Sequence, residues 1–178
     1  QFITHRGQGE LRHWLEEGYE ALQKYDKGYS DWFAVPRSIK TTSVKPSGTV
    51  SLLAGSTPGL HYPESRFYIR RIRLSNMSPL IKPLEKAGYK IEPAFGSEDS
   101  TVVIEVPVDV GEGIRTVSEV PMWEQMALAA FMQRYWADNQ VSCTVTFDPE
   151  KEGGQIATAL NYFQYQLKGI SFLPKLEL

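Results

Sequence analysis

An α/β fold is predicted by three features of the sequence. Segments of helical periodicity alternate with strand-like ones, as in βαβ units with a largely parallel sheet. One pair of strand-like segments flanks a short polar turn and reads as an inserted β-hairpin. One helix is apolar on nearly every side, which requires burial on more than one side. The composition permits such a core: 178 residues, 42% hydrophobic and 22% charged, fit one globular domain over residues 1–178, and exclude disorder and collagen-like repeats.

The elements follow in order. Residues 10–33 place Leu11, Trp14, Leu15, Gly18, Leu22 and Tyr25 on one helical face, with Gly28 expected to end or loosen the helix. Residues 38–45 read as a short strand, residues 45–49 as a tight turn, and residues 50–55 as a short apolar helix closed by Gly55. A Gly- and Pro-rich loop covers 56–63. Residues 66–74 read as a strand whose alternation slips, which a bulge at Arg70-Arg71 would explain.

Residues 78–87 suit a short helix ended by Gly88. Residues 89–95 and 101–108 are the paired strands around Gly96-Ser97-Glu98-Asp99. Residues 121–138 form the clearest helix, with Pro121 at its start and Glu124 in its first turn. A strand over 140–147, a helix over 154–166 and a last strand over 167–173 complete the pattern.

Several function classes are excluded. No apolar run reaches the ~18 residues of a membrane span, and residues 1–10 do not read as a signal peptide. A single cysteine, Cys143, excludes an internal disulfide, a cysteine-based zinc site and two-thiol redox chemistry from this chain alone, and favours a reducing, cytoplasmic setting. Cys143 alternates into the apolar side of its strand and reads as a buried, inert thiol. His5 and His13 share no metal-binding helical face, and His61 reads as a loop residue bonded to backbone, so no metal site is expected.

Charge is unevenly spread. Between residues 32 and 73, Arg37, Lys40, Lys45, Arg66, Arg70, Arg71 and Arg73 face only Glu64, on a chain of net charge −2. The net acidity argues against direct nucleic-acid binding, whereas a local basic block suits a compact anion such as a nucleotide phosphate. Ion pairing with the acidic remainder is expected for at least two of the arginines. Residues 136–140 end a helix and open a strand, where α/β folds put ligand-facing polar groups; the alternative is that Asp138 or Asn139 caps the helix end.

Lys45-Pro46-Ser47-Gly48-Thr49-Val50-Ser51 is the sharpest motif. A helix beginning here presents free backbone N–H groups at Ser47, Gly48, Thr49 and Val50, and its dipole points the same way. Gly48 allows close approach, the hydroxyls of Ser47, Thr49 and Ser51 add donors, and Lys45 supplies charge; a phosphate needs these features. It is not a Walker loop, because no Gly-Lys-Ser/Thr ends it. The alternative, in which Ser47 simply caps a short helix, stays open.

The stretch Lys45-Pro46-Ser47-Gly48-Thr49-Val50-Ser51-Leu52-Leu53-Ala54-Gly55 resembles the adenosylcobalamin-dependent (class II) ribonucleoside-triphosphate reductases. So do Thr57-Pro58-Gly59-Leu60-His61-Tyr62-Pro63, Tyr68-Ile69-Arg70-Arg71-Ile72-Arg73, Trp136-Ala137-Asp138-Asn139-Gln140-Val141-Ser142 and Leu167-Lys168-Gly169-Ile170-Ser171. The resemblance implies a portion of the ten-stranded α/β barrel of ribonucleotide reductases, from its C-terminal half. It implies substrate phosphates held by Ser47, Gly48, Thr49, Val50 and Ser51 with Lys45. It also implies thiyl-radical reduction of a ribonucleoside triphosphate, adenosylcobalamin as cofactor and a thioredoxin-like reductant for the complete enzyme.

The departures from the family matter as well. The finger-loop Asn-x-Cys-x-Glu pattern and the reducing cysteines have no counterpart here, and Cys143 does not inherit their role. The chain therefore reads as a fragment, inactive alone, whose partners are the remainder of the barrel or a second copy. Ile170, Ser171 and Phe172 stand where tyrosyl-radical reductases carry two adjacent tyrosines, which favours the cobalamin branch. A non-catalytic nucleotide-binding or assembly module derived from the same barrel is the alternative.

Overall fold

One apolar stripe and a run of good helix formers carry α2 (Gln8–Phe33), which follows a single turn, α1 (Phe2–Arg6), in a computed structural model describing residues 1–47, 51 and 56–175. Gly28 does not end α2. One glycine costs only about 1 kcal/mol in a helix, and Tyr25, Tyr29 and Trp32 span it with ring centroids 6.3 and 5.6 Å apart. The helix closes at Ala34, in the left-handed region at φ 52°.

The chain divides into two units, Gln1–Pro63 with Gly113–Leu178, and Glu64–Glu112. In the first, α4 (Met122–Tyr135) packs Met122, Met126 and Ala130 with Val145, Ala159 and Phe163, while Ala129 belongs to a second cluster with Ala137 and Val141. The helix is thus buried on two sides, as its composition demands. Its first free amide, Met122 N–H, donates to Glu152 Oε1 at 2.7 Å, and Glu152 Oε2 takes the Asp148 N–H at 2.9 Å. It stops at Tyr135, short of Asp138, because Trp136 leaves helical geometry at φ −132°.

β4 (Thr144–Phe147) pairs in parallel with β5 (Ser171–Pro174), Thr144 opposite Ser171. The crossover holds a 3-10 turn (Gly153–Gln155) and α5 (Ile156–Phe163). The expected strand over 38–45 is an irregular strap instead, with one parallel bridge, Val44 to Val141. Its backbone is satisfied from the α4–β4 connection. Asn139 N–H donates to Thr42 O at 3.0 Å, Ser142 N–H to Val44 O at 2.9 Å, and the Trp136 indole to Ser43 O at 3.3 Å.

Within Glu64–Glu112, β1 (Phe67–Ser75), α3 (Ile81–Lys86), β2 (Lys90–Pro93) and β3 (Thr101–Asp109) form an antiparallel sheet of order β1-β3-β2 with one helix. The parallel expectation does not hold for this unit. Nor is there a bulge at Arg70-Arg71: β1 pairs one to one with β3 from Phe67–Asp109 to Ser75–Thr101. The alternation slips because Phe67 and Ile69 are exposed, on the side of the sheet where Arg71 meets Glu105, while Ile72 pairs with the buried Ile104. Among the described residues, no helix is long and apolar enough to cross a membrane.

Candidate functional site

The strap delivers Lys45, Pro46 and Ser47 just beyond the Val44–Val141 bridge, at the end of a segment running parallel to β4. Lys45 is exposed and Ser47 half-buried. Ser47 Oγ accepts the Ser51 N–H at 3.2 Å, and the Ser51 hydroxyl donates to the Ser47 carbonyl at 3.3 Å. The Ser51 carbonyl in turn accepts the Ser56 N–H at 2.9 Å. Ser51 is helical and its side chain is engaged inward. The Ser47 oxygen accepts one bond and keeps its own proton to donate. Gly48, Thr49 and Val50 lie outside the described residues.

The 56–63 loop crosses this segment at Gly59. Its φ of +67° is one that side chains rarely adopt, and a Cβ there would lie 3.6 Å from Ser47 N and 3.7 Å from Lys45 O. His61 Nε2 accepts the Thr144 N–H at 3.1 Å, which puts the ring proton on Nδ1 and makes His61 the backbone-bonded loop residue the sequence suggests.

Beside the loop, a cavity of about 410 Å³ is lined by Val44, Leu60, Tyr62, Leu128 and the ion pair Arg115–Glu124, among others. Arg115 Nη1 lies 2.5 Å from Glu124 Oε1, and Nη2 donates to Glu119 O at 2.9 Å. Hydrogen bonding to Glu124 raises the Arg115 pKa further. Burial, then the Glu124 charge, pushes the Tyr62 hydroxyl above its ordinary range. No local pattern announces this Tyr62–Arg115–Glu124 group, whose members come from three separate segments.

The remaining candidates resolve as follows. Arg66 pairs with Asp109 at 3.2 Å and Glu112 at 3.5 Å; Arg71 pairs with Glu92, and with Glu105 at 3.7 Å. Two arginines of the basic block are therefore ion-paired, as expected, inside the Glu64–Glu112 unit. Asp138 caps no helix; its carboxylate binds Tyr19 and Thr41. Asn139 Oδ1 accepts the neighbouring Gln140 N–H at 2.9 Å. Cys143 packs against both core clusters, and burial pushes its thiol up to about 11. Among the described residues, no group of three His, Cys, Asp or Glu side chains could hold a metal ion.

No family model matches the chain. It is 61% identical over 175 residues to the adenosylcobalamin-dependent ribonucleoside-triphosphate reductase of Euglena gracilis, covering 98% of this chain and 24% of that protein. A probable reductase of the same kind from Dictyostelium discoideum is also 61% identical, covering 98% and 23%. The enzyme of Levilactobacillus brevis is 44% identical over 160 residues, covering 88% and 21%. A crystal structure of a B-12 dependent (class II) ribonucleotide reductase matches the fold with a TM-score of 0.80 at 36% identity, covering 96% of this chain and 24% of that one. The chain spans about a quarter of the length of the relatives it matches. Over nearly its whole length in sequence, and in fold, this chain is similar to about a quarter of the adenosylcobalamin-dependent ribonucleoside-triphosphate reductases it matches.

Proposed function

We propose that the chain is the substrate-phosphate-binding portion of a cobalamin-dependent reductase barrel, acting on ribonucleoside triphosphates. The observation that carries this reading is the delivery of Lys45-Pro46-Ser47 at the end of a strap in parallel register with Val141, where α/β folds place ligand-binding loops. The Ser47 oxygen accepts the Ser51 N–H and keeps its own proton for a ligand. Ser51, whose hydroxyl donates to the Ser47 carbonyl, then serves this link rather than the ligand. The grip falls on the Ser47 hydroxyl, the amides of Gly48, Thr49 and Val50, the Thr49 hydroxyl and the Lys45 ammonium.

A phosphate at a helix start gains about 1 kcal/mol from the dipole, with charged hydrogen bonds adding more. The contribution to chemistry is positional, because hydrogen abstraction from a ribose requires that the sugar be held at a fixed distance and angle. The radical and reducing cysteines belong to the remainder of the barrel, and a thioredoxin-like protein is the reductant of the complete, cytoplasmic enzyme. The isolated chain has no reductase activity.

When bound to the complete enzyme, adenosylcobalamin supplies the radical. The described residues do not fit that group. A cavity of about 410 Å³ suits a small ligand, not a corrin with its nucleotide tail, and the His61 Nε2 lone pair at its wall is already used by Thr144. No step is assigned to cobalamin through these residues.

The test is kinetic, in the full-length chain that carries this segment. Lys45→Met and Thr49→Ala raise KM for a ribonucleoside triphosphate about tenfold and change kcat less than twofold. An unchanged KM in both variants overturns the reading.

A further inference from the structure

We infer that Asp138 is a positioning residue for phosphate recognition, holding in place the strap that presents Lys45 and Ser47. This rests on the phosphate-binding reading of that loop. Every polar group of Asp138 is engaged. Oδ1 accepts the Tyr19 hydroxyl at 2.7 Å, and Oδ2 accepts the Thr41 N–H at 3.1 Å and the Thr41 hydroxyl at 2.9 Å. Its own N–H donates to Thr42 Oγ1 at 3.0 Å, and its carbonyl accepts from Lys168 Nζ. Gln23 Nε2 donates to Thr41 Oγ1 at 2.7 Å, giving α2 a second hold on the same threonine.

One residue therefore ties α2, the strap and the segment before β5. From Thr41 onward the strap is bonded at nearly every residue: Thr42 to Asn139 and to the Trp136 carbonyl, Ser43 to the Trp136 indole, Val44 to Ser142. The series ends at the Val44–Val141 bridge, one residue before Lys45. Thr41 lies four residues before Lys45, about 13 Å of extended chain. Asp138 thus acts through the strap, without touching a ligand at Lys45.

The carboxylate is needed because it is an acceptor at both oxygens. Asp138→Ala removes both acceptors, so the Thr41 N–H and hydroxyl lose their partner and the Thr41 end of the strap is released. Asp138→Asn is milder, because its NH2 can turn to the Tyr19 hydroxyl, which accepts, while its oxygen keeps Thr41.

The experiment uses the full-length chain, with CTP as substrate and inorganic tripolyphosphate and cytidine as competitive inhibitors. In Asp138→Ala, KM for CTP and Ki for tripolyphosphate rise together about fivefold to tenfold. Meanwhile kcat stays within twofold, and Ki for cytidine, which has no phosphate, is unchanged. A cytidine Ki rising in step shows a general structural role and overturns the inference. So does an unchanged CTP KM in Asp138→Ala while Lys45→Met raises it. If Lys45→Met also leaves KM unchanged, the phosphate reading itself fails. Should Asp138→Ala not fold, the milder Tyr19→Phe and Gln23→Leu decide. Each raises KM and the tripolyphosphate Ki about threefold with cytidine unaffected, and no change in either overturns the inference.

Discussion

Gln125 and Thr146 are joined by three hydrogen bonds, one from the Thr146 hydroxyl to Gln125 Oε1 at 3.2 Å and two to the Thr146 backbone. Gln125 Oε1 accepts the Thr146 N–H and its Nε2 donates to the Thr146 carbonyl, both at 2.9 Å. A buried helix side chain thus completes the edge of β4 opposite β5 as a neighbouring strand would. His61 does the same for the Thr144 N–H two residues earlier. The line begun by the Val44–Val141 bridge is continued by side chains instead of backbone.

Gln125→Leu leaves both Thr146 backbone groups without this partner in a partly buried setting, and takes a buried bond at 3.2 Å from the Val120 carbonyl. A loss of about 3 kcal/mol is expected, since each buried unsatisfied group costs about 1–3 kcal/mol. The shift of the urea midpoint measures it, and faster hydrogen exchange at the Thr146 amide locates it.

Gly59 meets its neighbours at ordinary contact distances, so its constraint is φ and not space. Gly59→Ala is expected to cost about 1–2 kcal/mol and to raise KM for a triphosphate, because relief of the φ strain shifts the loop that lies against Ser47. Gly59→Asn, which tolerates the left-handed region, recovers most of the loss. Thermal melting and KM of the two variants separate these effects.

Asp138 carries a pH signature. Burial raises its pKa, but hydrogen bonds from Tyr19 and Thr41 outweigh that and hold it below the ordinary carboxylate range, with Lys40 adding a favourable charge. A carboxyl depressed in the folded state stabilises fully above its unfolded value and loses that contribution as pH falls through the folded value. Asp138→Asn therefore lowers the melting temperature at pH 7, and the gap from the unmodified protein closes as pH is lowered past the depressed value. A gap independent of pH contradicts the assignment.

Cys143 has its thiol pushed up to about 11 by burial. The folded state favours the neutral thiol, so its contribution is present below the ordinary thiol range and fades as pH rises through about 11. Iodoacetamide labelling at pH 8 is expected to be at least tenfold slower than in the unfolded chain, with Cys143→Ser leaving nothing to label. Rapid labelling of the native protein contradicts this.

Much of the element order is legible because it rests on local pattern. The long α2, the two-sided burial of α4 and the βαβ unit around α5 all follow from periodicity, and the ion pairing of Arg66 and Arg71 follows from charge. The errors share one cause. Gly28 and the Arg70-Arg71 slip suggested breaks that neighbouring contacts override: aromatic rings span the glycine, and β3 keeps β1 in continuous register. The 38–45 segment lacks a regular ladder because side chains and loop amides satisfy its backbone.

The Pro46-Ser47-Gly48-Thr49 motif and its kinship can be read from adjacent residues, since turn chemistry and helix initiation depend on neighbours in the chain. Whether Asp138 would cap a helix or hold the strap could not. Its partners Tyr19 and Thr41 lie 119 and 97 residues away in sequence, and only chain closure decides which donors meet a half-buried carboxylate.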